Sequence, residues 1–271
     1  MLPAARSRDF GSGRTSLRLA FAVRTRFTLP PDHFRSLGRL LNQFLSSRKM
    51  STFPVLIIGA GPFGLSLAAY LRRCHIRYLM IGKPALFWKV CSHGALLALA
   101  SDWHLDPHGV DTVDAYRQAQ NTASNRPESR ACDSFPHYVR WFQKRKQLEI
   151  LPWNVERVAP QHERFVATMQ NGEQIATPNV VVATCFHACG HAGCRASEPF
   201  KTLLGDDILA RMSVHDGSVR LDERFRTSLP GLFIANSTTE QDFGQPSALF
   251  ARARASAASI GQAIRQRMQT L

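Results

Sequence analysis

The amino-acid sequence predicts an α/β fold built on a parallel β-sheet, and three observations support that prediction. Short, wholly apolar runs such as Val55–Ile58 and Tyr78–Ile81 are typical of strands that are covered on both faces. A glycine-rich turn joins these two runs through a stretch with helical spacing of its apolar residues. Alternating apolar and polar residues around Asn171-Gly172 predict an antiparallel hairpin. The sequence therefore predicts a parallel sheet with a small antiparallel element.

The first predicted unit is a strand, a turn, a helix and a second strand within residues 54–82. The turn is a complete G-x-G-x-x-G motif, Gly59-Ala60-Gly61-Pro62-Phe63-Gly64. In such a motif Gly59 permits the tight turn, Gly61 lets the backbone approach a pyrophosphate, and Gly64 lets the helix pack against the strand. The N–H groups at the start of the helix then face the phosphates. Because strand and helix flank the motif, it predicts a dinucleotide site.

The end of the second predicted strand lacks a feature that dinucleotide sites usually have. An acidic residue there commonly binds the ribose hydroxyls, whereas this chain has Gly82 and Lys83. The missing carboxylate argues against a simple NAD-dependent dehydrogenase. We include Gly82 and Lys83 among the predicted cofactor-binding residues because of their position.

The sequence of this region resembles a known family of proteins. "IGAGPFGLSLAAYLRR" followed by "IGKPALFW" is similar to FAD/NAD(P)-binding oxidoreductases related to flavin-dependent monooxygenases and N-hydroxylases. The resemblance continues through Leu97–Ala119, Phe135–Arg145 and the C-terminal segment that begins at Phe225. It implies a Rossmann-like FAD-binding fold with FAD as the cofactor.

The resemblance also implies further cofactor-binding residues. Trp88 follows the second strand, where it could stack on a ring or simply fill the core. Thr184 lies at the place of the family's Ala-Thr-Gly turn, with Cys185 where glycine is usual. Asn236 ends the last predicted strand, Leu232–Ala235, and Gly244 precedes a predicted helix that starts at Ser247. Asp102 and His104 lie in a region that faces the flavin in relatives, with His104 expected to be a structural histidine, and we assign no catalytic acid or base.

Full members of the family resemble two nested dinucleotide folds, and this sequence departs from that pattern. Residues 90–271 contain no second G-x-G-x-x-G, and the segment between the predicted strands Asn179–Thr184 and Leu232–Ala235 is short for an NAD(P)H-binding domain. We therefore predict a single truncated domain. We also predict that the protein is an FAD-dependent enzyme with a small-molecule substrate. An external electron source would be needed, so NAD(P)H would act only through a partner reductase. A catalytically inactive flavin- or nucleotide-binding remnant is the alternative.

A third hypothesis concerns the stretch from Cys185 to Cys194, "CFHACGHAGC". Alternating cysteine and histidine residues would lie on one face of a strand and could bind a metal or act as redox thiols. Structural zinc sites usually combine two separated pairs of ligands, and these spacings do not match that pattern. We therefore predict no metal site and interpret residues 185–200 as a junction loop beside the missing domain.

The chain has a net charge of +14, and much of it is concentrated near the N-terminus. Residues 1–49 carry nine arginines and one lysine against Asp9 and Asp32. This composition predicts a disordered basic leader, apart from a short helix near Leu37–Leu45. The leader is an over-extended start that precedes Met50, a transit peptide or a basic tail. The folded domain is predicted as residues 50–271, with no nucleic-acid partner and no membrane span. We expect a cytoplasmic protein, or an imported one if the leader is a transit peptide.

Overall fold

The computed structural model describes residues 53–83, 102–121, 131–184, 198–215, 218–235 and 246–270. All of them belong to one compact unit, Ser47–Leu271. The elements in chain order are β1 (Leu56–Ile58), α1 (Pro62–Arg73), β2 (Leu79–Ile81), α2 (Val113–Asn121), α3 (Ala131–Lys146), β3 (Val155–Gln161), β4 (Arg164–Met169), β5 (Gln174–Thr177), β6 (Val180–Val182), α4 (Glu198–Leu209), β7 (Val214–His215), β8 (Ser218–Val219), β9 (Leu232–Ile234) and α5 (Pro246–Thr270).

The central sheet is parallel throughout, with the strand order β2-β1-β6-β9. Its middle register aligns Ile57 with Met80 on one side and with Val181 on the other, and Val181 with Phe233. These four side chains are at most 1% exposed. Burial on both faces explains why the strands are continuous apolar runs, and the predicted α/β fold class is confirmed.

The run Leu148–Leu151, apolar except for Glu149, is typical of a strand, but the structure forms only an isolated bridge there. Leu148 lies in the turn that closes the end of α3, because its N–H donates to the carbonyl of Gln143 at 2.9 Å. Only Leu151 aligns with the sheet, as a parallel bridge to Ile81 at the edge of β2. The C-terminal turn of α3 therefore takes up residues that an apolar pattern alone assigned to a strand.

Strands β3, β4 and β5 form a separate antiparallel sheet, as predicted. The turn between β4 and β5 contains Asn171 and Gly172, and Gly172 has a φ of 81°. The side chain of Asn171 accepts a hydrogen bond from the N–H of Glu173 at 3.1 Å, which stabilises the turn. The predicted hairpin is confirmed.

Helices α1 and α5 pack closely against each other on one face of the central sheet. A side chain at Gly261 would come within 2.2 Å of the ring of Tyr70, so the two helices meet at that glycine. Phe250 and Ile260 of α5 are fully buried in the same core as Ile57. Helix α5 begins at Pro246 and ends at Thr270, close to the predicted bounds, since proline is well tolerated in a first turn.

Residues 183–231 connect β6 to β9. The described part of this connection contains α4 and the two-residue strands β7 and β8, and it contains no second βαβ unit. Helix α4 begins at Glu198, so the last three residues of the predicted junction loop are helical. Residues 185–197 lie outside the described residues.

The predicted leader, residues 1–49 with its short helix near Leu37–Leu45, also lies outside the described residues. Within the ranges that the structure describes, no helix combines the length and the apolar character that crossing a membrane requires.

Candidate nucleotide-binding site

Three of the predicted groups meet at the carboxyl edge of the parallel sheet. Gly59 follows β1, Gly82 follows β2, and Ala183 and Thr184 follow β6. The N–H of Gly59 donates to Ile81 O at 2.8 Å, and the N–H of Ala183 donates to Ile58 O at 2.7 Å. Parallel strands bring their carboxyl ends to one edge, which is where open α/β sheets bind ligands.

Position 59 requires glycine for two reasons, its backbone conformation and the close approach of Ala183. Its φ is 116°, a conformation that L-residues rarely adopt. A Cβ atom there would lie 2.5 Å from the carbonyl oxygen of Ala183, the residue that follows β6. The turn after β1 therefore lies directly against the end of β6, with no room for a side chain between them.

Two other glycines close the same turn. A Cβ atom on Gly64 would lie 2.0 Å from the carbonyl oxygen of Gly59, so the glycine lets α1 pack onto the strand end. A Cβ atom on Gly82 would lie 2.7 Å from the nitrogen of Ala60, so the end of β2 touches the turn as well. The glycines thus form a backbone cradle that a side chain would fill.

The remaining residues of the motif present backbone rather than side chains to a ligand. The side chains of Ala60, Pro62 and Phe63 are buried, with Phe63 only 1% exposed. Helix α1 begins at Pro62 with Gly61 as its N-cap, and no side chain caps it. Helix geometry leaves the N–H groups of a first turn without an intrahelical acceptor, and the helix dipole makes that end electropositive. This end of α1 therefore suits an anion such as a pyrophosphate.

Thr184 adds a hydroxyl group to the same edge. Its Oγ1 is buried and has no hydrogen-bond partner among the residues that the structure describes. Buried hydroxyl groups are normally paired, so an unpaired one beside a glycine cradle suggests a ligand atom. The cradle, the helix N-terminus and this hydroxyl fit the polar linker of a dinucleotide such as FAD.

The end of β2 carries a cation at the place where dinucleotide sites usually have a carboxylate. Lys83, which is exposed, directly follows Gly82 there. An ammonium group can donate a hydrogen bond to a ribose oxygen, whereas the usual carboxylate would accept one. Lys83 therefore offers a hydrogen-bond donor where a typical NAD site offers an acceptor.

Some predicted site residues lie outside the described residues, namely Trp88, Asn236, Gly244 and the stretch Cys185–Cys194. Within the described ranges, no group of three or more histidine, cysteine, aspartate or glutamate residues could hold a metal ion. The metal and redox-thiol hypothesis for Cys185–Cys194 therefore stays untested.

A second region that contacts α1 is residues 102–111, which we call the 102–111 segment. Ser66 of α1 donates from Oγ to the carbonyl of Leu105 at 2.8 Å. From α5, Arg254 donates through Nη1 to the carbonyls of Asp102 and His104, each at 2.8 Å. Two helices thus fix the backbone of the segment through hydrogen bonds to its carbonyl groups.

Asp106 organises the other half of the segment. Its carboxylate, fully buried, accepts hydrogen bonds from the N–H groups of His108, Val110 and Asp111 at 3.1, 3.1 and 2.8 Å. Lys146 of α3 contacts Asp106 at 2.7 Å and Asp111 at 2.8 Å. Burial alone would raise the pKa of Asp106, but these N–H groups and the Lys146 ammonium hold that pKa below its ordinary value. The carboxylate is therefore ionised at neutral pH.

Tyr138 of α3 joins the two halves of the segment. Its hydroxyl accepts from the N–H of Leu105 at 3.0 Å and donates to the carbonyl of Asp111 at 2.8 Å. Burial raises the pKa of this hydroxyl well above its ordinary value. The hydroxyl of Tyr138 therefore stays protonated and connects the two halves of the segment through hydrogen bonds.

His104 differs from the structural histidine with satisfied hydrogen bonds that the sequence led us to expect. Its Nδ1 is buried without a hydrogen-bond partner among the described residues. Burial, followed by the nearby charge of Arg254, lowers the pKa of this imidazole below its ordinary value. His104 is therefore mainly neutral at pH 7.

Sequence reasoning did not identify the residues that hold the 102–111 segment. The sequence Asp106-Pro107-His108-Gly109 is a turn signal and could have located Asp106. Arg254 is 150 residues from His104 in the chain, and an arginine on a helix has no local feature that reveals such a partner.

A scan against protein-family models gives no match, and a search of curated proteins gives none either. Among solved structures, the chain is similar to a ferredoxin-flavin thioredoxin reductase from Clostridium acetobutylicum, with a TM-score of 0.52 and 11% identity over 81% of this chain and 100% of that one. It is also similar to a variant of a flavin monooxygenase from Stenotrophomonas maltophilia, with a TM-score of 0.50 and 14% identity over 80% of this chain and 100% of that one. The predicted resemblance to FAD/NAD(P)-binding oxidoreductases is confirmed at the level of the fold.

Proposed function

We propose that this protein is an FAD-binding oxidoreductase of the flavin monooxygenase type that acts on a small molecule and receives electrons from a partner. The observation that carries the proposal is the meeting of the glycine cradle, the end of β2 and the Thr184 hydroxyl at one sheet edge, where that hydroxyl has no hydrogen-bond partner among the described residues. Ligands bind at this edge in open α/β sheets, and a cradle made of backbone suits a pyrophosphate.

The protein residues would bind and orient the cofactor. The first-turn N–H groups of α1 would hold the pyrophosphate, Thr184 Oγ1 would complete the contact, and Lys83 would donate to the ribose. Bound FAD supplies the redox chemistry, which includes hydride transfer and activation of oxygen. Because the cradle admits no side chain at Gly59, Gly64 or Gly82, its geometry would not depend on rotamer changes.

The external electron source follows from the number of dinucleotide units. The sequence has one G-x-G-x-x-G motif, and the described part of the connection between β6 and β9 holds a helix and two very short strands instead of a second unit. In this proposal a partner reductase reduces the flavin, and NAD(P)H acts only through that partner.

The test begins with cofactor binding by the full chain, refolded with FAD and freed of excess ligand. We expect absorbance at about 450 nm, which belongs to the bound flavin. This signal should be lost in a Gly64→Ala variant but not in Gly172→Ala. A chain that binds no FAD under these conditions would disprove the proposal. Stoichiometric zinc in a colourless preparation would support the metal hypothesis instead.

The source of electrons is tested on the flavin-loaded chain. NADPH alone should leave the flavin oxidised, whereas NADPH with an added flavin reductase should bleach it. Rapid bleaching by NADPH alone would contradict the need for a partner. A loaded chain that no reductase can bleach would favour the catalytically inactive remnant.

A further inference from the structure

The C-terminal ends of three helices lie along the amino edge of the parallel sheet, opposite the glycine cradle. Helix α1 starts at the carboxyl edge after β1 and returns the chain to the start of β2, so its end at Arg73 lies at the amino edge. Gln147, which follows α3, accepts a hydrogen bond from Nη2 of Arg72. Near the end of α5, Nε of Arg267 would be 3.3 Å from a Cβ atom on Gly231, the residue before β9.

These helix ends and the turn after α1 carry a set of exposed cations that we call the amino-edge patch. Its members are Arg72, Arg73, Arg77, Lys144 and Arg265. The guanidinium of Arg77 lies over the ring of Phe53, just before β1, at 5.5 Å from the ring centroid. Arg265 is one helical turn past Gly261, the residue of α5 that meets α1. The patch therefore spans α3, α1 and α5.

The cations of the amino-edge patch have no carboxylate partner within the described ranges. Elsewhere in the same ranges, Arg117, Arg145 and Arg157 each contact an aspartate at 3.2–3.4 Å. Residues 72–77 and the whole of α5 contain no aspartate or glutamate, and Glu149 follows the end of α3. Positive charge therefore stays uncompensated at this edge.

Helix dipoles explain a part of this pattern, because a helix C-terminus favours nearby cations. They do not explain Arg77, which lies between α1 and β2. They do not explain the basic leader either, which has ten basic residues against two aspartates, a net charge of +8, and connects to β1 at the same edge. This concentration of charge suggests an anionic partner.

The chemistry of the edge favours a lipid surface as that partner. Met268, in the last turn of α5, is 39% exposed and places an apolar side chain beside the cations. Single-stranded nucleic acids are usually bound with exposed aromatic rings, whereas the exposed large apolar side chains of the described residues are Val110 and Met268. An electron-donating protein would have to approach the cofactor edge, at the other end of α1, roughly 18 Å away.

We propose that the amino-edge patch docks this protein on the surface of an anionic lipid membrane. The arginine and lysine side chains would contact the headgroups, and Met268 would reach the interface. The cofactor edge would then face away from the lipid and stay open to a substrate and to an electron-donating partner. The inference goes beyond the proposed function, because it does not require FAD.

Sedimentation of the full chain with sucrose-loaded vesicles tests this inference. One set of vesicles contains phosphatidylcholine alone, and the other contains an equal mixture with phosphatidylserine. The test variant is Arg73→Gln/Arg265→Gln, whose replaced side chains have no hydrogen bond or ion pair in the described part of the chain. The matched control, Arg117→Gln/Arg157→Gln, removes the same charge from α2 and β3, where each arginine is exposed. Circular dichroism reports whether the variants are folded.

We expect the wild type to bind the mixed vesicles and not phosphatidylcholine alone. Each lost cation should weaken binding about fivefold, so the test variant should bind roughly 25-fold more weakly. The control should stay within about twofold of the wild type, because exposed charges far from the lipid are screened. Arg73→Lys/Arg265→Lys, which keeps both charges, should bind like the wild type. If the double variant does not fold, Arg73→Gln alone should show the fivefold loss.

Absence of binding to the mixed vesicles would overturn the inference, and so would wild-type affinity in the test variant. An equal loss in the control would show that net charge, rather than the patch, decides binding. Tighter binding to a duplex oligonucleotide than to the mixed vesicles, with the same loss in the test variant, would assign the patch to nucleic acid instead. FAD binding is measured separately by flavin absorbance, so failure of the proposed function and failure of this inference are distinguishable.

Discussion

The turn at residues 59–64 leads into α1 and the 102–111 segment contacts α1, yet different interactions hold the two regions in place. The turn is shaped by the backbone, since a Cβ atom at Gly59 or Gly64 would collide with a carbonyl oxygen. The segment is shaped by side chains from three helices, among them Arg254 and Lys146, that bind its carbonyl and carboxylate groups. The turn therefore depends on the absence of Cβ atoms at its glycines, whereas the segment depends on charged and polar side chains that bind it.

This difference predicts different responses to mutation. No side chain fits at Gly59 or Gly64, so substitutions there should destabilise the protein. The contribution of the turn to stability should not depend on pH or salt. The segment should tolerate changes at its exposed contacts but not at its buried ones, because removing one partner leaves a buried charge or polar group unpaired.

The largest effect is expected from Gly59→Ala. Its added Cβ would meet Ala183 O, and the backbone would have to hold an alanine at a φ of 116°. We expect a loss of about 3 kcal/mol or more in the free energy of unfolding, together with loss of FAD binding. Gly109→Ala is the matched control, because it also has a positive φ, 66°, but nothing within 4 Å of the added atom. That variant should lose only about 1–2 kcal/mol, the cost of the conformation itself.

Urea unfolding followed by circular dichroism measures both variants. Equal losses for Gly59→Ala and Gly109→Ala would show that conformation alone, rather than contact with β6, explains the glycine at position 59.

Lys146→Met tests the segment in the same assay. It would leave the fully buried carboxylate of Asp106 without its cation, at an expected cost of about 3 kcal/mol in the free energy of unfolding. Arg145→Met is the control, because Arg145 contacts Asp111 at 3.2 Å with its own side chain 65% exposed. Exposed ion pairs contribute about 0–1 kcal/mol, so this second change should have little effect. Similar losses in the two variants would contradict the view that burial decides the strength of these contacts.

The smallest effect is a dependence of stability on pH that comes from His104. Its pKa is lower in the folded protein than in the unfolded chain, so acidification below about pH 6.5 protonates the unfolded chain first. Stability from this group is therefore present above that pH and declines as the pH falls toward the folded pKa. The free energy of unfolding should fall between pH 7 and pH 5.5, and it should fall less in His104→Asn. Asp106, whose pKa is also lowered, would add a decline of the same sign only below about pH 3.8.

Urea titrations at the two pH values, with wild type and His104→Asn side by side, isolate the histidine. Identical pH dependence in both proteins would show that protonation of His104 does not affect the free energy of unfolding.

Local sequence patterns were sufficient for the parts of the fold that depend on neighbouring residues. The apolar strand at Leu56–Ile58, the turn at residues 59–64, the hairpin at Asn171-Gly172 and the helix after Pro246 were all predicted within a few residues. Each depends on a pattern within about ten residues, because strand burial, turn conformation and helix starts are local properties of the chain.

Local patterns failed where tertiary packing competed with them. The run Leu148–Leu151, apolar except for Glu149, has the composition of a strand, but the turn that follows α3 holds its first residue and only Leu151 forms a bridge to the sheet. His104 was expected to have satisfied hydrogen bonds, and its surroundings depend on an arginine 150 residues away.

The glycine cradle after β1 follows from the sequence alone, because glycine is the only residue whose missing side chain allows that turn. It could not determine which side chains surround the 102–111 segment. Arg254, Tyr138 and Lys146 come from separate helices, and only the packing of α1, α3 and α5 brings them together. A missing side chain restricts the local backbone, whereas a buried polar contact exists only after distant parts of the chain have packed.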